Sequence, residues 1–217
     1  IMRIASVSKL ITATAVMKLW ERGELGLSDQ VFGTEGILND PQFCGFTDKK
    51  LTKVTVEHLL RHRAGFTMRA GDPMFNWQLI ETGLGKKPPY TMDDYVEYAV
   101  KMGIRYQPGT RTNYSNIGYV VLSKVIEKVT GMPYETYVQD SILAPAGCYD
   151  MHIGRNRHED KFPNEVRYYE TTEAELFPAC DTIGGMVLKS HAAQAVHGLT
   201  GAGGRVACPP ERLKCVA

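Results

Sequence analysis

Between Arg3 and Trp20 the chain reads RIASVSKLITATAVMKLW, a run whose apolar residues wrap nearly every face of a helix and which nevertheless carries a lysine at position 9. A helix that is apolar all round belongs in the interior of a domain. This one, expected from Ser6 to Arg22 and stopped by Gly23, should therefore be central and buried. A lysine in that setting is costly unless it is partnered or gives up its charge. Ser6 stands three residues before it on the same helical face, whereas Ser8 points about 100° away. A serine hydroxyl becomes a useful nucleophile when a base takes its proton, and a desolvated lysine can be that base. The spacing marks Ser6 as candidate nucleophile and Lys9 as candidate base, with the helix N-terminus facing the oxyanion that attack on a carbonyl would form. Alone the spacing is weak evidence, because seven serines and 13 lysines in 217 residues give roughly 0.4 chance matches to S-x-x-K. An N-capping serine beside a snorkelling lysine is the competing reading.

The totals exclude other classes. Lys and Arg number 25 against 24 Asp and Glu, for a net charge of +1, so no basic face for nucleic acid and no patch for an anionic membrane is expected. Hydrophobic residues make up 43%, enough for a buried core. No apolar run reaches the roughly 18 residues of a membrane span, and IMRIAS has no secretory-signal pattern. The five cysteines, Cys44, Cys148, Cys180, Cys208 and Cys215, form no CxxC and no zinc-like cluster with histidine, so they read as structural thiols. A Cys208–Cys215 pairing is the one alternative.

Further along, Thr55 caps a short helix that runs through Arg61 and breaks at Ala64-Gly65. His58 and His62 are spaced i, i+4 but lack a third ligand, so they read as structural. Residues 71–90 read as an irregular, lid-like insertion, with Trp77 and Tyr90 as candidate cleft aromatics. Thr91 caps the helix MDDYVEYAVKMG. Over 107–131 a turn, YQPGTRTNYSN, opens into an amphipathic helix closed by Gly131. PYETYVQDSIL forms another helix with Pro133 at its start. EVRYYE (165–170) reads as a strand, and GLTGAGGRVACPPERLKCVA as a glycine-rich turn, a short apolar run and a helix from about Pro210.

The second candidate constellation is Tyr114-Ser115-Asn116, on the turn 108 residues after Ser6. A tyrosine held on a rigid turn can relay a proton, and an asparagine two residues on can fix both a lysine and a substrate amide. A capping turn with a packed tyrosine is the plainer reading.

Taken together, Ser6-x-x-Lys9, LTKVTVEHLLRHRAGF, PGTRTNYSNIGYVVLSKVIEKVTGMPYETYV and ILAPAGCYDMHIG resemble, in order, the serine β-lactamase-related family of class C β-lactamases, penicillin-binding DD-peptidases and their esterase relatives. The likeness resumes at GLTGAGGRVACPPERLKCV. The resemblance implies an α+β fold of β-lactamase/transpeptidase type in one domain. It also implies a Ser6 that becomes acylated, Lys9 and Tyr114 as the proton-handling pair, and Asn116 as a positioning residue. It calls for no metal or cofactor, for a small-molecule or peptide acyl substrate, and for a periplasmic or secreted setting. A non-catalytic binding or assembly module with a vestigial serine-lysine pair is the rival.

The family's third motif, Lys-Thr-Gly or His-x-Gly on a strand beside the site, has no good match. Lys101-Met102-Gly103 ends a helix upstream of Tyr114, and His197-Gly198 has the wrong spacing. The chain is therefore expected to hold mainly the helical portion of the domain, incomplete at both ends, with most of the family's antiparallel strands missing.

Overall fold

In the computed structural model, which describes residues 1–69, 71–169, 176–180, 184–188 and 196–208 and only the backbone of 197, the first helix begins two residues later than expected. A 3-10 turn, Ala5–Val7, carries Ser6, and the α-helix α1 runs Ser8–Glu21. Its buried residues, Ser8, Lys9, Ile11, Thr12, Ala15, Val16 and Leu19, fall on one face. Leu10, Met17 and Trp20 lie on the other, 42%, 37% and 48% exposed. The expectation of a helix buried on every side is thus corrected: apolar character all round does not tell an interior helix from one with an apolar outer stripe.

The helices that follow are α2 (Pro41–Cys44), α3 (Val56–Leu60), α4 (Gln78–Leu84), α5 (Met92–Met102), α6 (Asn116–Thr130), α7 (Tyr134–Val138) and α8 (Val196–Gly203). Their ends follow local chemistry. Thr55 and Thr91 each accept a hydrogen bond from the N–H three residues on, in capping boxes closed by His58 and Asp94, and such caps are worth about 1 kcal/mol each. Ser115 caps α6 through the N–H of Gly118 at 3.2 Å. α6 is the hub, packing against α1, α3, α5, α7 and α8. Its Val120, Val121, Leu122, Val125 and Ile126 are fully buried, each contributing about 1.5–3 kcal/mol relative to exposure.

Strands β1 (Met2–Arg3), β2 (His152–Ile153) and β5 (Arg205–Ala207) form an antiparallel sheet in the order β1-β5-β2. Met2 faces Ala207 across one pair and His152 faces Val206 across the other. β3 (Leu176–Pro178) and β4 (Met186–Leu188) form a separate antiparallel pair. A short strand, β1, therefore stands ahead of Ser6. Fully buried Arg205 binds Glu135 of α7 at 2.5 Å, tying the sheet to the helical layer.

Three other readings change. The insertion at 71–90 contains α4, with Ile80 buried and Gly85 ending the helix at φ 70°; flanking Gly and Pro residues masked a two-turn helix. The supposed glycine-rich turn near the end is α8, kinked at Thr200 where φ is 25°. The expected strand EVRYYE is absent over 165–169, where side-chain and single backbone contacts replace a ladder. Val166 N–H donates to the Ile1 carbonyl and Tyr168 Oη accepts from Arg3 N–H. Residue 170, the helix from Pro210 and Cys215 lie outside the described residues. No helix among the described residues is long and apolar enough to cross a membrane.

Candidate active site

The site forms where α1, the turn before α6 and the end of α8 meet. Thr12 and Lys9, one turn apart on α1, cap two carbonyls at the end of α8: Thr12 Oγ1 donates to Gly201 at 2.8 Å and Lys9 Nζ donates to Ala202. Gly201 has to be glycine, because a Cβ there would strike the hydroxyls of Ser123 and Thr12. Close approach of α8 to α1 and α6 is what brings the Ala202 carbonyl within reach of the lysine.

Lys9 is 6% exposed and has three partners. Nζ lies 3.3 Å from Ser6 Oγ, 2.6 Å from Asn116 Oδ1, and against the Ala202 carbonyl. Two of these, the amide oxygen and the carbonyl, can only accept. Nζ donates to all three oxygens, as the three N–H bonds of an ammonium allow; on loss of one proton the two carbonyl oxygens can keep the remaining N–H bonds, leaving the lone pair toward Ser6. Burial draws the Lys9 ammonium below its ordinary value of 10.5, against opposing pulls from Tyr114 and Asp72.

Asn116 is oriented from its other side, where Nδ2 donates to Asp72 Oδ2 at 2.6 Å. A carboxylate accepts and a lysine donates, so the amide has one sensible orientation. Tyr114 donates its hydroxyl to Ser6 Oγ at 2.6 Å, while Lys9 Nζ sits 4.8 Å from the centre of its ring. Ser6 is exposed, and Ala5 before it has φ 45°, a strained conformation of the kind that collects at functional sites. A cleft of about 90 Å³ opens at Ser6 between Ala5, Phe75, Leu199 and Gly203.

All four residues singled out from sequence, Ser6, Lys9, Tyr114 and Asn116, therefore meet in space. Ser8 is turned away and fully buried, its Oγ accepting from Arg205 N–H at 3.2 Å. A family model described as Beta-lactamase matches residues 1–209. The chain belongs to the beta-lactamase family.

Among relatives, this beta-lactamase-family chain is 31% identical over 168 residues to penicillin-binding protein 4* of Bacillus subtilis, covering 76% of the chain and 33% of that protein. It is 30% identical over 148 residues to a putative D-alanyl-D-alanine carboxypeptidase of Escherichia coli K12, covering 66% of the chain and 32% of that protein. The chain thus spans about a third of the length of these curated relatives. The structure of D-amino acid amidase from Ochrobactrum anthropi SV3 is similar with a TM-score of 0.68 at 25% identity, over 99% of this chain and 54% of the other.

Several neighbours of the site were not legible in the sequence. Asp72 and Phe75 sit in the segment read as an irregular lid, and the Ala202 carbonyl in the segment read as a turn; backbone carbonyls leave no trace in residue types. Trp77 and Tyr90, candidates for either the cleft or ordinary packing, pack on each other at 6.4 Å and against the core. Lys101-Met102-Gly103 closes α5, with Gly103 packed against Asp48, away from Ser6. The side chain of His197 lies outside the described residues.

Proposed function

We propose that this beta-lactamase-family chain is a serine acyl hydrolase that works through an acyl-enzyme on Ser6, with a lactam, ester or peptide carbonyl as substrate. The observation that carries the reading is the position of Ser6 Oγ, 2.6 Å from the Tyr114 hydroxyl and 3.3 Å from Lys9 Nζ. Ser6 gives its proton to the neutral Lys9 amine as Oγ attacks the carbonyl carbon, which creates a tetrahedral oxyanion. When that intermediate collapses, Tyr114, 44% exposed and hydrogen-bonded to Ser6, hands its proton to the departing nitrogen or oxygen and regains one from the Lys9 ammonium. Water then attacks the Ser6 ester by the same relay in reverse.

Asn116 holds Lys9 on one side and is held by Asp72 on the other, so the base is pre-positioned rather than gathered by substrate. A vestigial pair would have no need of such support, and this favours catalysis over a purely binding role. The relatives' printed names, penicillin-binding protein, carboxypeptidase and amidase, agree with an acyl substrate of peptide type, and a periplasmic or secreted setting goes with it.

The test is covalent labelling. Incubation with a fluorescent penicillin or a fluorophosphonate should add one probe mass to the folded protein, and none to Ser6→Ala. If neither probe adds mass to folded wild-type protein, the reading fails.

A further inference from the structure

The two peptide N–H groups that flank Tyr114 end on one residue. Asn113 N–H donates to the backbone carbonyl of His62 at 2.8 Å, and Ser115 N–H donates to the Nδ1 of the same histidine at 3.2 Å. The imidazole lies 4.6 Å from the Tyr114 ring, centre to centre, and 5.1 Å from Tyr119. His62 thus holds the chain on both sides of the tyrosine and packs against the ring between them. Its backbone is left-handed, with φ 55°, a conformation that costs a non-glycine residue energy and persists when its surroundings demand it.

We propose that His62 is the positioning residue for Tyr114, and that it serves only as the neutral imidazole with its proton on Nε2. The inference rests on the reading of Ser6 as a nucleophile partnered by Tyr114. Because Nδ1 accepts from Ser115, it carries no proton. Protonation would set an N–H against the Ser115 N–H, break that bond, and loosen the turn that aims the Tyr114 hydroxyl at Ser6. The titratable groups facing the ring are Lys9 from α1, Tyr114 from the turn and Tyr119 from α6. Of its chain neighbours, Arg61 pairs with Glu57 at 3.0 Å and Arg63 binds the Gly109 carbonyl. Burial first, and the charge of Lys9 second, disfavour an imidazolium here, so the ring titrates below its ordinary 6.5.

Two variants separate ring from acceptor. His62→Asn keeps an acceptor oxygen where Nδ1 stands, tolerates the left-handed backbone, and does not titrate. His62→Phe keeps a ring against Tyr114 and loses the acceptor. Two readouts apply to wild type and both variants from about pH 5 to about pH 9: the rate of fluorophosphonate addition to Ser6 by intact mass, and the amide shift of Ser115 by ¹⁵N NMR, with thermal melts as the check on folding.

In wild type the Ser115 amide should change with a midpoint below 6.5, and the labelling rate should show a step at that same midpoint in addition to the rise that Lys9 gives at higher pH. His62→Asn should lose that step in both readouts while labelling within about threefold of wild type near neutrality. His62→Phe should label at least about tenfold more slowly, with a melt close to wild type. A folded His62→Phe that labels at the wild-type rate overturns the proposal, as does a His62→Asn that keeps the acid step. A wild type that takes no label overturns the nucleophile reading, and the Ser115 amide still decides whether His62 holds the turn: a flat titration there overturns the proposal on its own.

Discussion

Lys9 Nζ and Asn116 Oδ1 meet at 2.6 Å across 107 residues of sequence, a contact that fixes the direction of the proposed base, while burial lowers its pKa. Activity needs the amine neutral, and burial holds Lys9 below 10.5. Labelling of Ser6 should therefore rise with pH and level off before that value. Asn116→Asp places a carboxylate against the ammonium, which favours the charged form and raises its pKa. Each unit of that rise removes about tenfold of the neutral amine near pH 7. The variant should label at least about tenfold more slowly near neutrality and recover as pH rises; an unmoved pH profile would count against Lys9 as the base.

Gly201→Ala should affect stability and reactivity together. The added methyl meets the Ser123 and Thr12 hydroxyls, and overpacking of this kind costs about 1–3 kcal/mol. Moving α8 outward also takes the Ala202 carbonyl away from Lys9. A melt lowered without any loss of labelling would show that this carbonyl does not matter to the lysine.

Arg205 and Glu135 give a prediction about the scaffold. Arg205 is fully buried, and Glu135 also accepts from the Ile153 N–H at 3.2 Å and from Gln139 at 2.9 Å. Glu135→Ala strands a buried guanidinium and should cost about 3–5 kcal/mol. Replacing both, as Arg205→Met with Glu135→Leu, removes the charge as well as its partner and should recover much of the loss. Urea denaturation of the single and double variants checks this.

The pair of Lys86 and Asp94, 2.7 Å apart, predicts a pH window. Burial pushes the Asp94 carboxyl up, but hydrogen bonds from Lys86 and Thr91 outweigh it and leave the pKa below 3.8. Lys86 is raised above 10.5 chiefly by its hydrogen bonds to Asp94 and Glu97. A depressed carboxylate stabilises the fold above its unfolded pKa and loses that contribution as pH falls through the folded one. A raised lysine stabilises below its unfolded pKa and loses the contribution as pH climbs past the folded one. Asp94→Asn should lower the melting temperature between about pH 4 and about pH 10 and leave it little changed near pH 2; an equal loss at all three would mean the charge is irrelevant.

What the sequence disclosed divides along physical lines. Helices with a cap and a stop, such as Thr91 to Gly103 and Ser115 to Gly131, were legible because both ends depend on local residues. The four candidate residues, Ser6, Lys9, Tyr114 and Asn116, were singled out because two weak spacings fell in order within a family resemblance, and what the structure adds is that they meet in space. Asp72 was not, since an acid in a Gly- and Pro-rich stretch gives no hint of the Asn116 amide 44 residues away. His62 showed its i, i+4 relation to His58 but not its hold on Tyr114, which depends on a left-handed backbone that residue type does not announce. The strands, two or three residues each, are too short for any alternation to show.

Lys9 reaches Ala202 across 193 residues, and Tyr114 reaches Ser6 across 108. Contacts so distant in the chain close the largest loops and form after local helices have condensed. On refolding, helical circular dichroism should therefore return before Ser6 regains its reactivity toward a covalent probe. Reactivity at Ser6 would then report completion of the fold, since segments from both ends of the described chain must be in place before the serine has its neighbours.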